Sequence, residues 1–227
     1  MRNRVGPNRV ALARAVTAAG LALALTVTAA GCSGNKPSAE KCQSVAAPLT
    51  DVPTRTDQEP KMRLPVPPGW ERSTKMDSEQ IRFAIRSEAL AADGFTPNAV
   101  VTLQRVGIDV GKPEQILQAQ NEQLTKKLKL TDLTATPTEV CGAPALSTTY
   151  TAPEVDLGKK LPQRTKAKAP ALPTIPPRNA TSLGVVYRSG DANWVATLTV
   201  QTVKPDDQTY VKDSAEILKG FQLLAPQ

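Results

Sequence analysis

Histidine is missing from all 227 residues of this chain. Without an imidazole there is no Ser-His-Asp hydrolase, no Cys-His protease and no His-ligated zinc or haem, because each requires a group that titrates near neutrality or offers a neutral nitrogen. Aromatic residues are scarce at 4%, too few for the stacked rings on which single-stranded nucleic acid lies. Acidic residues are lacking in two places. None occurs in the first 31 residues, which hold Arg2, Arg4, Arg9 and Arg14, and none occurs between 158 and 178. The formal charge of +7 therefore comes from one leader and one loop. It does not describe a basic domain face, and no nucleic-acid partner is expected. Also missing are Gly-x-Ser-x-Gly and a phosphate-binding glycine loop, and no residue cluster has the ligand chemistry of a metal site. No catalytic residue, metal or cofactor is expected.

What is present at the amino terminus has the layout of an export signal. Arg2 to Arg14 form a cationic region, and Ala15 to Gly31 an uncharged run whose most apolar part is Leu21-Ala-Leu-Ala-Leu-Thr-Val27. At 1.5 Å per residue this run is short for a hydrocarbon core of about 30 Å, so it suits a translocase better than a permanent span. It ends in Ala29-Ala30-Gly31-Cys32, which resembles the bacterial lipobox, with Ala29 where Leu is commonest. Cleavage between Gly31 and Cys32, with diacylglycerol and then a further acyl chain such as palmitate on Cys32, would leave a lipoprotein held on the outer face of the cell membrane. Ser33 to Ser38 would be its polar tether. The two remaining cysteines, Cys42 and Cys141, form an even pair in an exported chain, for which a disulfide is expected.

Domain boundaries follow from composition. Residues 1–31 read as signal peptide, 32–61 as lipidated cysteine and flexible tether, and 62–227 as the folded domain. Within it, Met62 to Trp70 reads as an edge strand ending in Pro-Pro-Gly. Ile81 to Arg86 reads as a strand with Ile81, Phe83 and Ile85 inward and Arg82 and Arg86 outward. Ala99 to Val106 is a third strand. Pro113 to about Lys129 has helical spacing of Ile116, Leu117, Leu124 and Leu128. Leu133 to Cys141 and Ala145 to Tyr150 are two further strands. Leu183 to Tyr187 and Trp194 to Val200 make a hairpin around Ser189-Gly190-Asp191. A second helix starts near Asp206-Asp207, is expected to bury Val211, Ala215 and Leu218, and ends at Lys219-Gly220. Phe221 to Leu224 is a last strand. Strands paired antiparallel with two covering helices make this an α+β domain.

Between Glu154 and Ala180 lies a long proline-rich stretch with Lys159, Lys160, Arg164, Lys166, Lys168 and Arg178. Loops of this length inside a domain usually have a use. These six cations are candidates for contact with an anionic surface such as lipid headgroups, against the plain reading of a solvated loop. Trp70 and Trp194 are candidates for lining a ligand groove, against the plainer reading that they fill the core.

Five strings, in order, carry a resemblance. Leu64-Pro-Val-Pro-Pro-Gly-Trp70, Pro97-Asn-Ala-Val-Val101, Gly142-Ala-Pro-Ala145, Trp194-Val-Ala-Thr-Leu-Thr-Val200 and Ile217-Leu-Lys-Gly-Phe221 resemble the LpqN/LpqT lipoproteins of actinobacteria. That resemblance implies a PsbP-like fold, an antiparallel sheet packed with two main helices, and a cell-envelope lipoprotein without established catalytic residues. The function expected is a non-catalytic binding or accessory module for an envelope protein or an amphiphilic lipid or glycolipid. The alternative is a histidine-free envelope hydrolase or transferase that uses carboxylates. Nothing in the residues specifies an oligomeric state.

Overall fold

A computed structural model describes residues 37–156, 174–189 and 191–226. Its framework is a seven-stranded antiparallel sheet in the order β3-β4-β5-β11-β10-β7-β6. The strands are β3 (Glu71–Arg72), β4 (Ile81–Arg86), β5 (Asn98–Gly107), β6 (Thr131–Val140), β7 (Ala143–Ala152), β10 (Arg178–Ser189) and β11 (Ala192–Thr202). Two-residue strands β8 (Val155–Asp156) and β9 (Thr174–Ile175) pair with each other beyond the end of β7. A second sheet has three strands, β1 (Leu49–Val52), β2 (Lys61–Pro65) and β12 (Gln222–Leu224), with β2 in the middle. Two α-helices are described, α1 (Pro113–Leu128) and α2 (Gln208–Gly220). The fold is therefore α+β, as the element order implied.

The period-2 pattern of β5, β10 and β11 assigns the two faces of the large sheet. On one face Val101, Leu103, Leu183, Val185, Ala196, Leu198 and Val200 meet Met62 and Leu64 of β2, Leu223 of β12 and Tyr210 and Ile217 of α2 in the main core. On the other face Val186 and Val195 meet Ile116 and Leu117 of α1 in a smaller cluster. Gly184 makes room for α1, since a Cβ there would lie 3.0 Å from Leu117 Cδ2.

Several expectations are corrected. The segment 43–61, read as loose tether, contains β1 and the buried residues Ala47, Glu59 and Pro60; β2 is consequently a central strand and not an edge. Arg82 does not point to solvent. It is buried and donates to both carboxylate oxygens of Glu59, at 2.6 and 3.2 Å. A register irregularity between Ile81 and Phe83 breaks the alternation that placed it outward. In α2 the buried face is Tyr210, Asp213, Ile217 and Gly220, and not Val211, Ala215 and Leu218. An aspartate on a core face hides the stripe from any hydropathy reading. Asp213 is accommodated there because it accepts the indole N–H of Trp70 at 2.9 Å.

Gly220 lets the end of α2 approach the arm closely. A Cβ at this position would stand 2.5 Å from Val45 Cγ2 and 2.6 Å from Pro65 Cγ. Gly220→Ala is expected to cost about 1–3 kcal/mol by overpacking, read as a lowered melting temperature. An unchanged melting temperature would mean that the arm is free to move away.

Candidate functional site

The disulfide expected from cysteine parity is present, joining Cys42 to Cys141. Cys141 and Gly142 form the two-residue turn between β6 and β7, both at positive φ (51° and 83°), as a hairpin turn of the primed type requires. The arm is fastened here by a second contact, Ser38 N–H to the Cys141 carbonyl at 3.1 Å. Further along it is tied to α2, where Ala47 N–H donates to Glu216 Oε1 at 2.6 Å.

Beside this junction, between α2 and the strands β6 and β7, lies an open trough of about 610 Å³. One wall is α2, with Ala215, Leu218 and Lys219. The floor is Thr138, Val140, Ser147 and Leu183, and the mouth is edged by Lys41, Gln43 and Gly142. A second hollow of about 330 Å³ continues along the other end of α2, past Val211 and Ser214, over Thr149, Thr151 and Thr181. The helix residues Val211, Ser214, Ala215 and Leu218 recur at i, i+3, i+4 and i+7, so they form one stripe along the wall. That stripe contains the three residues expected from the sequence to be core. Its apolar side chains face a floor rich in hydroxyls because α2 leans on β2 and leaves this flank of the sheet bare.

The trough holds few charges. Lys41 and Lys219 are its cations and Glu139 its carboxylate; the continuing hollow adds Asp132. Asp132 and Glu139 are seven residues apart on β6, about 23 Å at strand rise, far beyond the separation of about 5–10 Å that a two-carboxylate glycosidase uses.

Trp70 and Trp194 do not line this trough. Both belong to the main core, so the expectation that they border a groove is corrected: rings this large are buried where the two sheets and α2 converge. Trp70 is held by Asp213, whereas Trp194 Nε1 has no partner among the described residues.

Of the six loop cations, Lys159, Lys160, Arg164, Lys166 and Lys168 lie outside the described residues, as do Gly31 and Cys32. Arg178 does not belong to the loop. It opens β10, where its Nε donates to Gln201 Oε1 at 2.7 Å and its guanidinium carbon stands 5.9 Å from the Phe95 ring centre. Burial pushes the Arg178 guanidinium below its ordinary range, with nearby Tyr150 opposing the shift. Burial also raises the Tyr150 phenol, offset in part by Arg178 and by the hydroxyls of Ser182 and Thr199. Tyr150 and Ser182 of this polar knot line a small hollow beside α1, with Leu117, Gln120 and Leu124. The pairing of β8 with β9 narrows the true insertion to residues 157–173.

A mixed α+β domain, an oxidised pair that closes the arm, and a bare trough beside it define the class. The family model described as Probable lipoprotein LpqN matches residues 42–159, just over half of the chain. The chain belongs to this lipoprotein family. Among solved structures it is similar to the crystal structure of LpqN involved in cell envelope biogenesis of Mycobacterium tuberculosis, with a TM-score of 0.55 and 18% identity over 78% of this chain and 91% of that one. At that identity the likeness concerns the fold. No curated protein matches the sequence.

Proposed function

We propose that this protein is a lipid-anchored module on the extracytoplasmic face of the cell membrane, which binds an envelope amphiphile without transforming it. The observation that carries the reading is the trough itself, an apolar helix stripe facing a hydroxyl-lined strand surface. Such a surface pairs an acyl chain with a sugar or polyol headgroup, because the chain gains burial while the hydroxyls exchange hydrogen bonds. The wide separation of its carboxylates supports binding over hydrolysis. Family membership, the involvement of M. tuberculosis LpqN in cell envelope biogenesis and the small-residue approach to Cys32 support the envelope setting.

Two measurements test this. Intact mass of the mature protein should show a chain beginning at acylated Cys32; a bare cysteine removes the anchor. Ala215→Trp fills the trough from a half-exposed helix position. It is expected to weaken binding of a fluorescent alkyl glucoside about tenfold, equivalent to ~1.4 kcal/mol, with the circular dichroism unchanged. Equal binding by the variant would move the ligand elsewhere or abolish this reading.

A further inference from the structure

The junction with the arm also marks the end of the domain from which the chain runs back toward its amino terminus. Antiparallel connectivity puts the β6–β7 turn, the β10–β11 turn and the carboxyl end of β5 at the same end of the sheet. Ser38 is bonded to the first of these. Only four residues lie between Cys32 and Pro37, so the five steps of chain joining them reach at most about 17 Å.

At this same end, three strand spacings or about 14 Å from the β7 edge, the chain makes a tight excursion after β5. Gly107, Ile108, Asp109, Val110 and Gly111 form it, and Ile108 and Val110 are exposed at 36% and 56%. The excursion is preformed. Asn193 Nδ2 donates to the Gly107 carbonyl at 3.0 Å. Gly111 has φ 127°, a conformation closed to side chains with a Cβ, and a Cβ at Gly107 would stand 2.5 Å from Asp109 Oδ1. Two aliphatic side chains are thus exposed on this turn. Around them Lys41, Arg105, Lys112 and Arg188 are balanced by Glu40, Asp109, Glu139 and Asp191, and Arg105 is paired with Asp191 at 3.1 Å.

We propose that Ile108 and Val110 seat in the lipid interface to which Cys32 anchors the chain, standing the domain on this end. The inference rests on the anchor reading above. The occupant is a bilayer because the tether leaves from the same end and is too short to hold the tip far from the headgroups. The seating is apolar in origin, since local charge nearly cancels, so it needs no anionic lipid. It turns the mouth of the trough at Lys41, Gln43 and Gly142 toward the membrane. It also sets the β8–β9 pair one strand length of about 33 Å away from that surface.

The experiment uses the complete acylated protein on vesicles of phosphatidylcholine alone. A single tryptophan is added at Val110 or, as a control, at Leu128, which is 46% exposed and closes α1 at the opposite end of the sheet. Emission of the two buried native indoles, recorded on the unsubstituted protein, is subtracted. Val110→Trp is expected to shift to the blue and to lose most of its emission to phosphatidylcholine brominated on the acyl chains, and to regain it when Ile108→Asp is added. Leu128→Trp is expected to show neither effect. Protein that floats with the vesicles while Val110→Trp stays unquenched overturns the seating and leaves the anchor standing. Quenching at Leu128→Trp instead overturns it in favour of the opposite orientation. Protein that fails to float and carries a bare Cys32 overturns anchor and seating together.

Discussion

Glu59→Ala is expected to destabilise the domain by about 3–5 kcal/mol, read from the urea midpoint at neutral pH. Glu59 and Arg82 are 4% and 9% exposed, and the carboxylate receives two N–H groups of Arg82 and the backbone N–H of Arg55 at 2.8 Å. Removing the carboxylate strands a guanidinium whose Nε already lacks a partner, and the charge cannot be relieved by losing a proton at any ordinary pH. The paired change Glu59→Leu with Arg82→Met should recover most of the loss, because apolar side chains of similar volume need no desolvation to be offset. A single substitution costing less than about 1 kcal/mol would mean that water reaches the pair, as it reaches exposed ion pairs. Arg63 with Asp51 and Lys126 with Glu122 are pairs of that exposed kind.

The second large effect concerns the disulfide. Cys42 and Cys141 are 99 residues apart, and releasing so long a loop restores roughly 4–5 kcal/mol of freedom to the unfolded chain in the entropy model. Cys42→Ser with Cys141→Ser should lower stability on that scale. It should also loosen the trough, since Lys41 and Gln43 edge its mouth from the arm and Gly142 does so from the turn. Weaker alkyl glucoside binding is therefore expected at a temperature where circular dichroism still reports a folded domain. Stability within about 1 kcal/mol of the parent would show that the arm is held chiefly by its packing and by the hydrogen bonds of Ser38 and Ala47.

How much of this could be read beforehand depended on which physical signal each element carries. The alternation of β5 and β11 makes them legible to within a residue or two at each end, and α1 is legible from Pro113, whereas β10 shows its pattern only from Leu183 to Tyr187 and in fact starts at Arg178. Cysteine parity led to the disulfide. The failures share one cause, a polar side chain that is buried because a partner far away in the chain satisfies it. Arg82 and Glu59 satisfy each other across 23 residues, and Asp213 is satisfied by Trp70 across 143. Pairings so distant are invisible in a local window, which is why the sequence pattern places Phe83 and Ile85 correctly but not Arg82, and why the arm reads as tether. The trough was missed for the complementary reason. Val211, Ala215 and Leu218 form a regular apolar stripe, and a stripe records only that a surface is apolar, not whether a neighbour covers it. The two indoles follow the plainer of their two readings and lie in the core, as large rings in a chain with so few of them usually do.

The Cys42–Cys141 bond also decides how the domain answers mechanical load. A pull on the residues before Ser38 does not peel β1 away from β2, because force is diverted through a covalent link into the β6–β7 hairpin, whose eight backbone pairings lie deep in the chain's order. The weak sequential unzipping that an amino-terminal strand would otherwise offer is bypassed. Load entering from that end falls on a hairpin whose second strand, β7, is paired on both sides, to β6 and to β10.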